Sequence, residues 1–257
     1  MIVIATYNIK GGVGKTAAAV NLAHCASRAG LRTLLWDLDP QGAAGFYFRV
    51  ERAASDDPSR LLDKKTGLRD AIRGSSYPGL DVLPADLGYR NLDIALDALK
   101  KPTKRLEKLL APLAEDYDLV ILDCAPHLSR LSENVFNVAD WLLVPVIPTP
   151  LSVRAYAQLR EFAAAEQVPL AKLLPFFSMV DRRRQLHCEL VTTFAAEHPE
   201  VLRSFIPYTS LVEKMGEQRA PVQVFAASSP GARAFDALWQ ALCDRIGLAT
   251  RPLHAGP

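Results

Sequence analysis

The chain has 257 residues, a formal net charge of +2, 49% hydrophobic residues and 23% charged residues. This composition is typical of a globular protein, and the overall charge is too small to bind nucleic acid by itself. No apolar run approaches the ~20 residues of a membrane-spanning helix. The length suits one large domain with a full core, so we expect a single domain over residues 1–257 with a frayed tail from about residue 249.

The four cysteines contain no Cys-x-x-Cys pair. That argues against a zinc site and against a disulfide framework, and it favours the reducing cytoplasm. The five histidines likewise lack the spacing of metal ligands. We therefore expect His187 and His198 to be ordinary surface residues.

The most informative motif lies near the start of the chain, where residues 10–16 read Lys-Gly-Gly-Val-Gly-Lys-Thr. Residues 2–7 are apolar and mostly β-branched, which predicts a strand, and residues 17–23 predict a helix. A glycine-rich loop between a strand and a helix is the context of a phosphate-binding loop, because its backbone N–H groups can converge on one anion. Lys15 would then reach the β- and γ-phosphates, and the Thr16 hydroxyl would ligate Mg²⁺.

Aspartates follow two predicted strands. Residues 32–42 include a buried strand that leads into Asp37 and Asp39, and residues 117–123 form another that ends at Asp123. Ligands of an open parallel sheet lie beyond the carboxyl ends of the strands, so these acids should lie near the phosphates. Combined with the loop, Asp123 fits the Walker B arrangement, in which the acid holds the magnesium shell. For Asp37 alone, a role as a helix cap or turn residue is an equal alternative.

Predicted strands and helices alternate along the whole chain. Further strands are predicted at residues 141–150, 173–180 and 205–208. Such alternation is typical of βαβ units. We therefore predict an α/β fold with a doubly wound, mostly parallel sheet flanked by helices, as in P-loop NTPases.

Basic residues are concentrated in Arg182-Arg183-Arg184, directly after the strand predicted at residues 173–180. Arginine suits phosphate because its planar guanidinium presents several donors. These arginines could contact DNA, or they could simply be surface charges that keep the protein soluble. An alternative DNA surface is a stripe predicted on one face of a helix, formed by Lys101, Lys104, Arg105 and Lys108.

The lysine at the head of the loop, Lys10, makes residues 10–16 resemble the deviant Walker A motif of the ParA/MinD family of ATPases. Asp-Leu-Asp-Pro-Gln-Gly at 37–42, Asp-Cys-Ala-Pro-His at 123–127 and Met-Val-Asp-Arg at 179–182 resemble further segments of ParA proteins. The resemblance implies that two subunits sandwich two MgATP, with Lys10 of each subunit touching the phosphates of the other. It also implies that Asp39 helps to position the attacking water.

The resemblance assigns roles residue by residue. The expected catalytic residues are Lys10, Lys15 and Asp39, and the expected magnesium ligands are Thr16 and Asp123. The DNA-binding residues would be Arg182, Arg183 and Arg184. The residues expected to bind the nucleotide are Gly11, Gly12, Val13, Gly14, Lys15, Thr16, Ala17, Met179, Asp181 and Pro207.

The function implied by the resemblance is that of a slow cytoplasmic ATPase. It would form a homodimer on binding ATP, bind DNA without sequence preference, and associate with the nucleoid in that state. A ParB-like or cargo-adaptor protein would stimulate hydrolysis, and no membrane partner is expected. Residues 206–213 differ from the usual sequence of chromosomal ParA proteins, so the cargo could be a plasmid, a chromosome, a protein cluster or a microcompartment.

Two other functions remain open. A MinD-like membrane switch needs a terminal amphipathic helix, and residues 238–247 are partly amphipathic but lack a basic face. A metabolic P-loop enzyme, such as an ATP-dependent ligase or synthetase, would need a substrate pocket that the sequence does not reveal.

Overall fold

The computed structural model of the protein describes residues 1–51, 68–85, 92–97 and 102–249. The tail predicted from about residue 249 lies almost wholly outside the described residues. Within them, eight strands form one sheet in the order β3-β4-β2-β5-β1-β6-β7-β8. The strands are β1 (Ile2–Thr6), β2 (Thr33–Asp37), β3 (Arg73–Gly74), β4 (Leu80–Leu83), β5 (Leu119–Asp123), β6 (Trp141–Val146), β7 (Leu173–Val180) and β8 (Phe205–Pro207).

Helices cover both faces of this sheet. Short 3₁₀ turns occupy Leu68–Ala71, Pro102–Lys104, Ala111–Leu113 and Leu170–Lys172. The described α-helices are α1 (Lys15–Arg28), α2 (Ala43–Tyr47), α3 (Leu92–Asp97), α4 (Arg105–Leu110), α5 (Arg130–Val138), α6 (Pro150–Ala165), α7 (Gln185–Glu197), α8 (Ser210–Gln218), α9 (Val222–Phe225) and α10 (Pro230–Ile246).

The strands of the sheet run parallel, except that β3 pairs with β4 in the antiparallel sense. The predicted doubly wound, mostly parallel sheet is therefore confirmed. In the central register Thr6 lies beside Asp123, and Asp37 lies on the other side of Asp123. The carboxyl ends of β1, β2 and β5 thus meet at one edge, as the position of the aspartates predicts.

The core lies on both faces of the sheet because the central strands are buried on both sides. Val3 and Ala5 of β1 pack into one hydrophobic cluster, and Ile4 between them packs into the other. Helices α1 and α10 cover the Ile4 side, where Trp239 is a fully buried ring. Among the residues that the structure describes, no helix is both long enough and apolar enough to cross a bilayer.

Two side chains lie elsewhere than the sequence pattern predicts. His187 is only 4% exposed, because its Nδ1 accepts a hydrogen bond from the Asp181 backbone N–H at 3.1 Å and the ring folds back over the turn. Arg105 is buried too, so it does not share a solvated face with the exposed Lys104 and Lys108. The surface position expected for His187 and the four-residue basic stripe are therefore wrong, and Lys101 lies outside the described residues.

Candidate nucleotide site

The loop between β1 and α1 has the backbone of an anion-binding nest. Gly12 and Gly14 adopt left-handed conformations with φ of 70° and 94°. A Cβ atom at Gly14 would lie 2.9 Å from the Ser178 hydroxyl, so a side chain at this position would also force Ser178 to shift. Val13 between the glycines is fully buried and anchors the loop, whereas Gly11 and Gly12 are exposed. Glycine at these positions leaves the loop open to a phosphate.

Lys15 is a buried cation at the start of α1. It is 6% exposed, and its Nζ donates a hydrogen bond to the Lys10 carbonyl oxygen at 3.2 Å. Burial lowers the pKa of Lys15, and the carboxylates of Asp123 and Asp39 oppose that shift. A phosphate in the loop would offer this ammonium a stronger, charged acceptor than a carbonyl. Lys10 itself is half-buried at the head of the loop.

Asp123 lies at the end of β5, fully buried and incompletely partnered. Its Oδ1 accepts a hydrogen bond from the Thr6 hydroxyl at 3.3 Å, whereas its Oδ2 has no partner. Burial and then the nearby Asp37 raise the pKa of Asp123, while the Thr16 hydroxyl and Lys15 lower it. An orphaned carboxylate oxygen beside a threonine hydroxyl is a donor set that suits Mg²⁺.

Asp37 and Asp39 occupy different environments at the end of β2. Asp37 is fully buried, and its Oδ2 accepts hydrogen bonds from the backbone N–H groups of Ala44 at 2.9 Å and Gly45 at 3.2 Å. Of the two alternatives for Asp37, the structure supports the helix cap. Burial raises the pKa of Asp37 to about 7 in spite of these bonds.

Asp39 is half-buried in the turn after β2. Its Oδ1 accepts a hydrogen bond from the Gln41 N–H at 2.9 Å, which fixes the turn after β2. Its charge also raises the pKa of Lys15 and of Asp123, which places its carboxylate within electrostatic reach of both. The structure therefore brings Lys15, Thr16, Asp39 and Asp123 together at one edge of the sheet.

A cleft opens beside the phosphate loop. Predicted residues Gly14, Ala17, Met179 and Pro207 all line it. Met179 has a left-handed backbone with φ of 55° at the end of β7. The position of the cleft suits the base and sugar of a nucleotide whose phosphates lie in the loop. The other lining residues include Ser178, Tyr208, Thr209, Val212 and Glu213.

Asp181 is not part of this cleft. Its Oδ1 and Oδ2 accept hydrogen bonds from the Arg183 guanidinium at 2.8 Å and 2.9 Å, and Arg184 lies 3.7 Å from Oδ2. The Arg183 hydrogen bonds lower the pKa of Asp181 to about 2. The remaining arginine of the cluster, Arg182, lies over the Phe205 ring at 4.9 Å. All three guanidiniums are exposed, and exposed ion pairs are weak enough to exchange a carboxylate for a phosphate.

Asn8 is a site residue that no motif in the sequence singles out. It is fully buried, its Nδ2 donates to the Pro145 carbonyl at 2.8 Å, and its Oδ1 accepts from the Lys10 N–H at 2.9 Å. It therefore ties the phosphate loop to the end of β6. In the sequence, the one feature that links Asn8 to the site is its position two residues before Lys10.

Comparison with known proteins identifies the family. Residues 1–170 match the family model AAA_31, described as an AAA domain. The chromosome-partitioning ATPase Soj of Treponema pallidum (strain Nichols) is 28% identical over 247 residues, which cover 93% of this chain and 96% of the relative.

Two solved structures share the fold over nearly their whole length. The ATP complex of an aspartate-to-alanine variant of McdA from Cyanothece has a TM-score of 0.81 at 18% identity and covers 97% of each chain. Cobyrinic acid a,c-diamide synthase from Mycobacterium smegmatis, with a bound ATP analogue and magnesium, has a TM-score of 0.79 at 25% identity and covers 99% of this chain and 100% of the other. Because the family model covers 170 of the 257 residues and the chromosome-partitioning relative Soj matches 93% of this chain, the chain belongs to the ParA/MinD family of P-loop ATPases.

Proposed function

We propose that this protein is a ParA-type ATPase that converts ATP and water to ADP and phosphate, slowly when no partner is present. The observation that carries the proposal is the unpartnered Oδ2 of buried Asp123, which lies beside Lys15 and Thr16 at the mouth of the phosphate loop. A buried carboxylate oxygen without a partner is costly, and a bound metal ion would satisfy it. The relative Soj of Treponema pallidum is named an ATPase, and the McdA variant is an ATP complex, which supports the proposal.

Each polar group of the site has a part in this reaction. When bound, magnesium supplies positive charge to the phosphate oxygens. Thr16 and Asp123 hold the metal, and Lys15 exchanges its bond to the Lys10 carbonyl for the β- and γ-phosphates. Asp39 orients the attacking water from the turn after β2. Such chemistry depends mainly on positioning and on charge stabilisation rather than on a covalent intermediate.

The proposed active unit is a homodimer that forms on ATP binding. Lys10 is half-buried at the head of the loop. In the proposed dimer it contacts the nucleotide of the second subunit. The ATP-bound dimer binds DNA without sequence preference through Arg182, Arg183 and Arg184, and it is cytoplasmic and nucleoid-associated. A ParB-like or cargo-adaptor protein stimulates hydrolysis and so releases the dimer during the positioning of a plasmid, a chromosome or a protein assembly.

A metabolic P-loop enzyme is a second candidate. The likeness to cobyrinic acid a,c-diamide synthase, at 25% identity over 99% of this chain, specifically favours it. Such an enzyme would use ATP to convert a small acid, and its binding to DNA would not depend on ATP. DNA binding by the ATP-bound protein therefore separates the two candidates.

A MinD-like membrane switch has less support. The apolar residues of the partly amphipathic segment at 238–247 include Leu238, Trp239 and Leu242, and all three pack into the core. The apolar face of α10 is therefore already buried within the protein. It is not free to lie in a membrane interface.

A DNA titration tests the proposed function. The protein with ATP should form a dimer in a sizing run and bind duplex DNA of any sequence, whereas the protein with ADP should bind weakly, because two basic patches act together only in the dimer. Binding should weaken steeply between two salt concentrations, since released counterions drive it. The double variant Arg183→Glu/Arg184→Glu should dimerise normally and bind DNA at least about tenfold more weakly.

The matched control is Lys104→Glu/Lys108→Glu, which makes the same change of charge on exposed residues of another surface. It should bind DNA like the parent. If the control loses DNA binding and the arginine variant keeps it, the patch lies on that other surface. If the ATP-bound parent dimer binds no DNA, the ParA-type function is wrong.

A further inference from the structure

The C-terminal ends of α2 and α8 meet at two arginines with unusual backbones. Arg49 follows α2 with φ of 57°, and Arg219 follows α8 with φ of 49°. Glycine adopts this left-handed conformation at no steric cost, whereas a side chain is disfavoured there. Both positions nevertheless carry arginine, and each arginine side chain contacts the other helix.

Arg49, which follows α2, caps the C-terminus of α8, and Arg219, which follows α8, caps the C-terminus of α2. The Arg49 guanidinium donates to the carbonyl oxygen of Gln218, the last residue of α8, at 3.1 Å. The Arg219 Nε donates to the Phe46 carbonyl in the last turn of α2 at 3.1 Å, and its guanidinium stacks on the Phe46 ring at 4.6 Å. A cation at a helix C-terminus donates to carbonyl oxygens of the last turn and complements the helix dipole. We call this reciprocal pair, Arg49 and Arg219, the arginine clasp.

The opposite ends of the same two helices are walls of the nucleotide site. Helix α2 starts after the Asp39 turn, and its first N–H groups bond to Asp37. Thr209 caps the start of α8: its hydroxyl accepts a hydrogen bond from the Leu211 N–H, and Thr209 lines the cleft beside the loop. One helix therefore leads to the γ-phosphate side of the site and the other to the base side.

We propose that Arg49 and Arg219 are positioning residues for ATP hydrolysis. The clasp fixes the far ends of α2 and α8 against each other, and it thereby holds the Asp39 turn in register with the cleft. Neither arginine touches the nucleotide. The inference rests on the proposed ATPase function, and it adds a control on turnover that lies outside the site.

The test uses glycine, because glycine keeps the left-handed backbone at both positions and removes only the side chain. Arg49→Gly and Arg219→Gly should each lower kcat about fivefold, the effect of losing one helix-to-helix hydrogen bond. The dissociation constant for ADP should stay within about twofold of the parent, because ADP lacks the γ-phosphate that Asp39 faces. The kcat of the double variant should be no more than about fivefold below that of the parent, since the loss of either arginine side chain opens the same clasp.

Gln167→Gly is the matched control. Gln167 also has a left-handed backbone, with φ of 57°, but it follows α6 and makes no contact with the nucleotide site. Its kcat should equal that of the parent. Urea unfolding of all variants checks that the fold is retained.

Three results would overturn the inference: an unchanged kcat in both glycine variants, a parallel loss of kcat and ADP affinity, or single-variant effects that multiply in the double variant. A parent protein that hydrolyses no ATP would instead overturn the proposed function, so the two failures are distinguishable.

Discussion

At the residue scale, Asp37 and Asp39 show how two neighbouring carboxylates acquire different roles. Asp37 is fully buried, and its carboxylate oxygens accept hydrogen bonds from the backbone N–H groups of Asp39, Ala44 and Gly45. Asp39 uses its Oδ1 to accept a hydrogen bond from the Gln41 N–H, and its charge interacts with that of Lys15. The first carboxylate holds the turn, and the second is available for a water molecule.

Replacing Asp39 separates nucleotide binding from turnover. Asp39→Ala should keep ATP affinity within about twofold but slow hydrolysis about 100-fold, because the attacking water loses its orienting group. The trapped protein should accumulate as an ATP-bound dimer in a sizing run. Asp39→Asn is the conservative control, since it keeps the acceptor for Gln41 while removing the charge, and it should also be slow. Hydrolysis by either variant at the parent rate would give Asp39 some other role.

At the element scale, α1 links the phosphate loop to a buried histidine. His24 is 7% exposed, and its ring meets Tyr77 edge-on with centroids 5.0 Å apart. Its Nδ1 has no hydrogen-bond partner. Burial, and then the positive charge of Arg28 one turn later, lower the pKa of His24 from 6.5 to about 4.

This histidine makes stability depend on pH. Between pH 6.5 and 4 the unfolded chain binds a proton on His24 and the folded protein does not, so the free energy of unfolding falls as the pH drops through that window. The contribution is about 3 kcal/mol at most. His24→Leu removes the titration, so urea unfolding between pH 7 and pH 4.5 should show a smaller loss of stability in the variant. Equal losses in parent and variant would contradict this explanation.

At the scale of the whole molecule, the site joins segments that are far apart in the chain. The phosphate loop, Asp39 and Asp123 could be placed at one edge of the sheet from the sequence, because parallel strands bring their carboxyl ends together and each segment carries a local pattern. Their roles stay predictions. The parallel fold followed from the same alternation of strands and helices.

The rest depends on tertiary contacts that leave no local pattern. Arg49 and Gln218 are 169 residues apart, and Asn8 and Pro145 are 137 residues apart. The burial of His187 likewise results from a bond to the backbone of the preceding turn rather than from its place in α7. Asp181 could be assigned to the cleft by resemblance, but its side chain pairs with Arg183 instead.

Calorimetric titration of MgATP into the parent and into Lys15→Ala tests the central claim that the loop binds the nucleotide phosphates. Lys15 is the buried cation of the loop, so its loss should weaken MgATP binding about 100-fold, or about 3 kcal/mol, while circular dichroism shows an intact fold. The exposed Lys108→Ala is the control and should bind like the parent. Equal MgATP affinity in the parent and in Lys15→Ala would contradict the site.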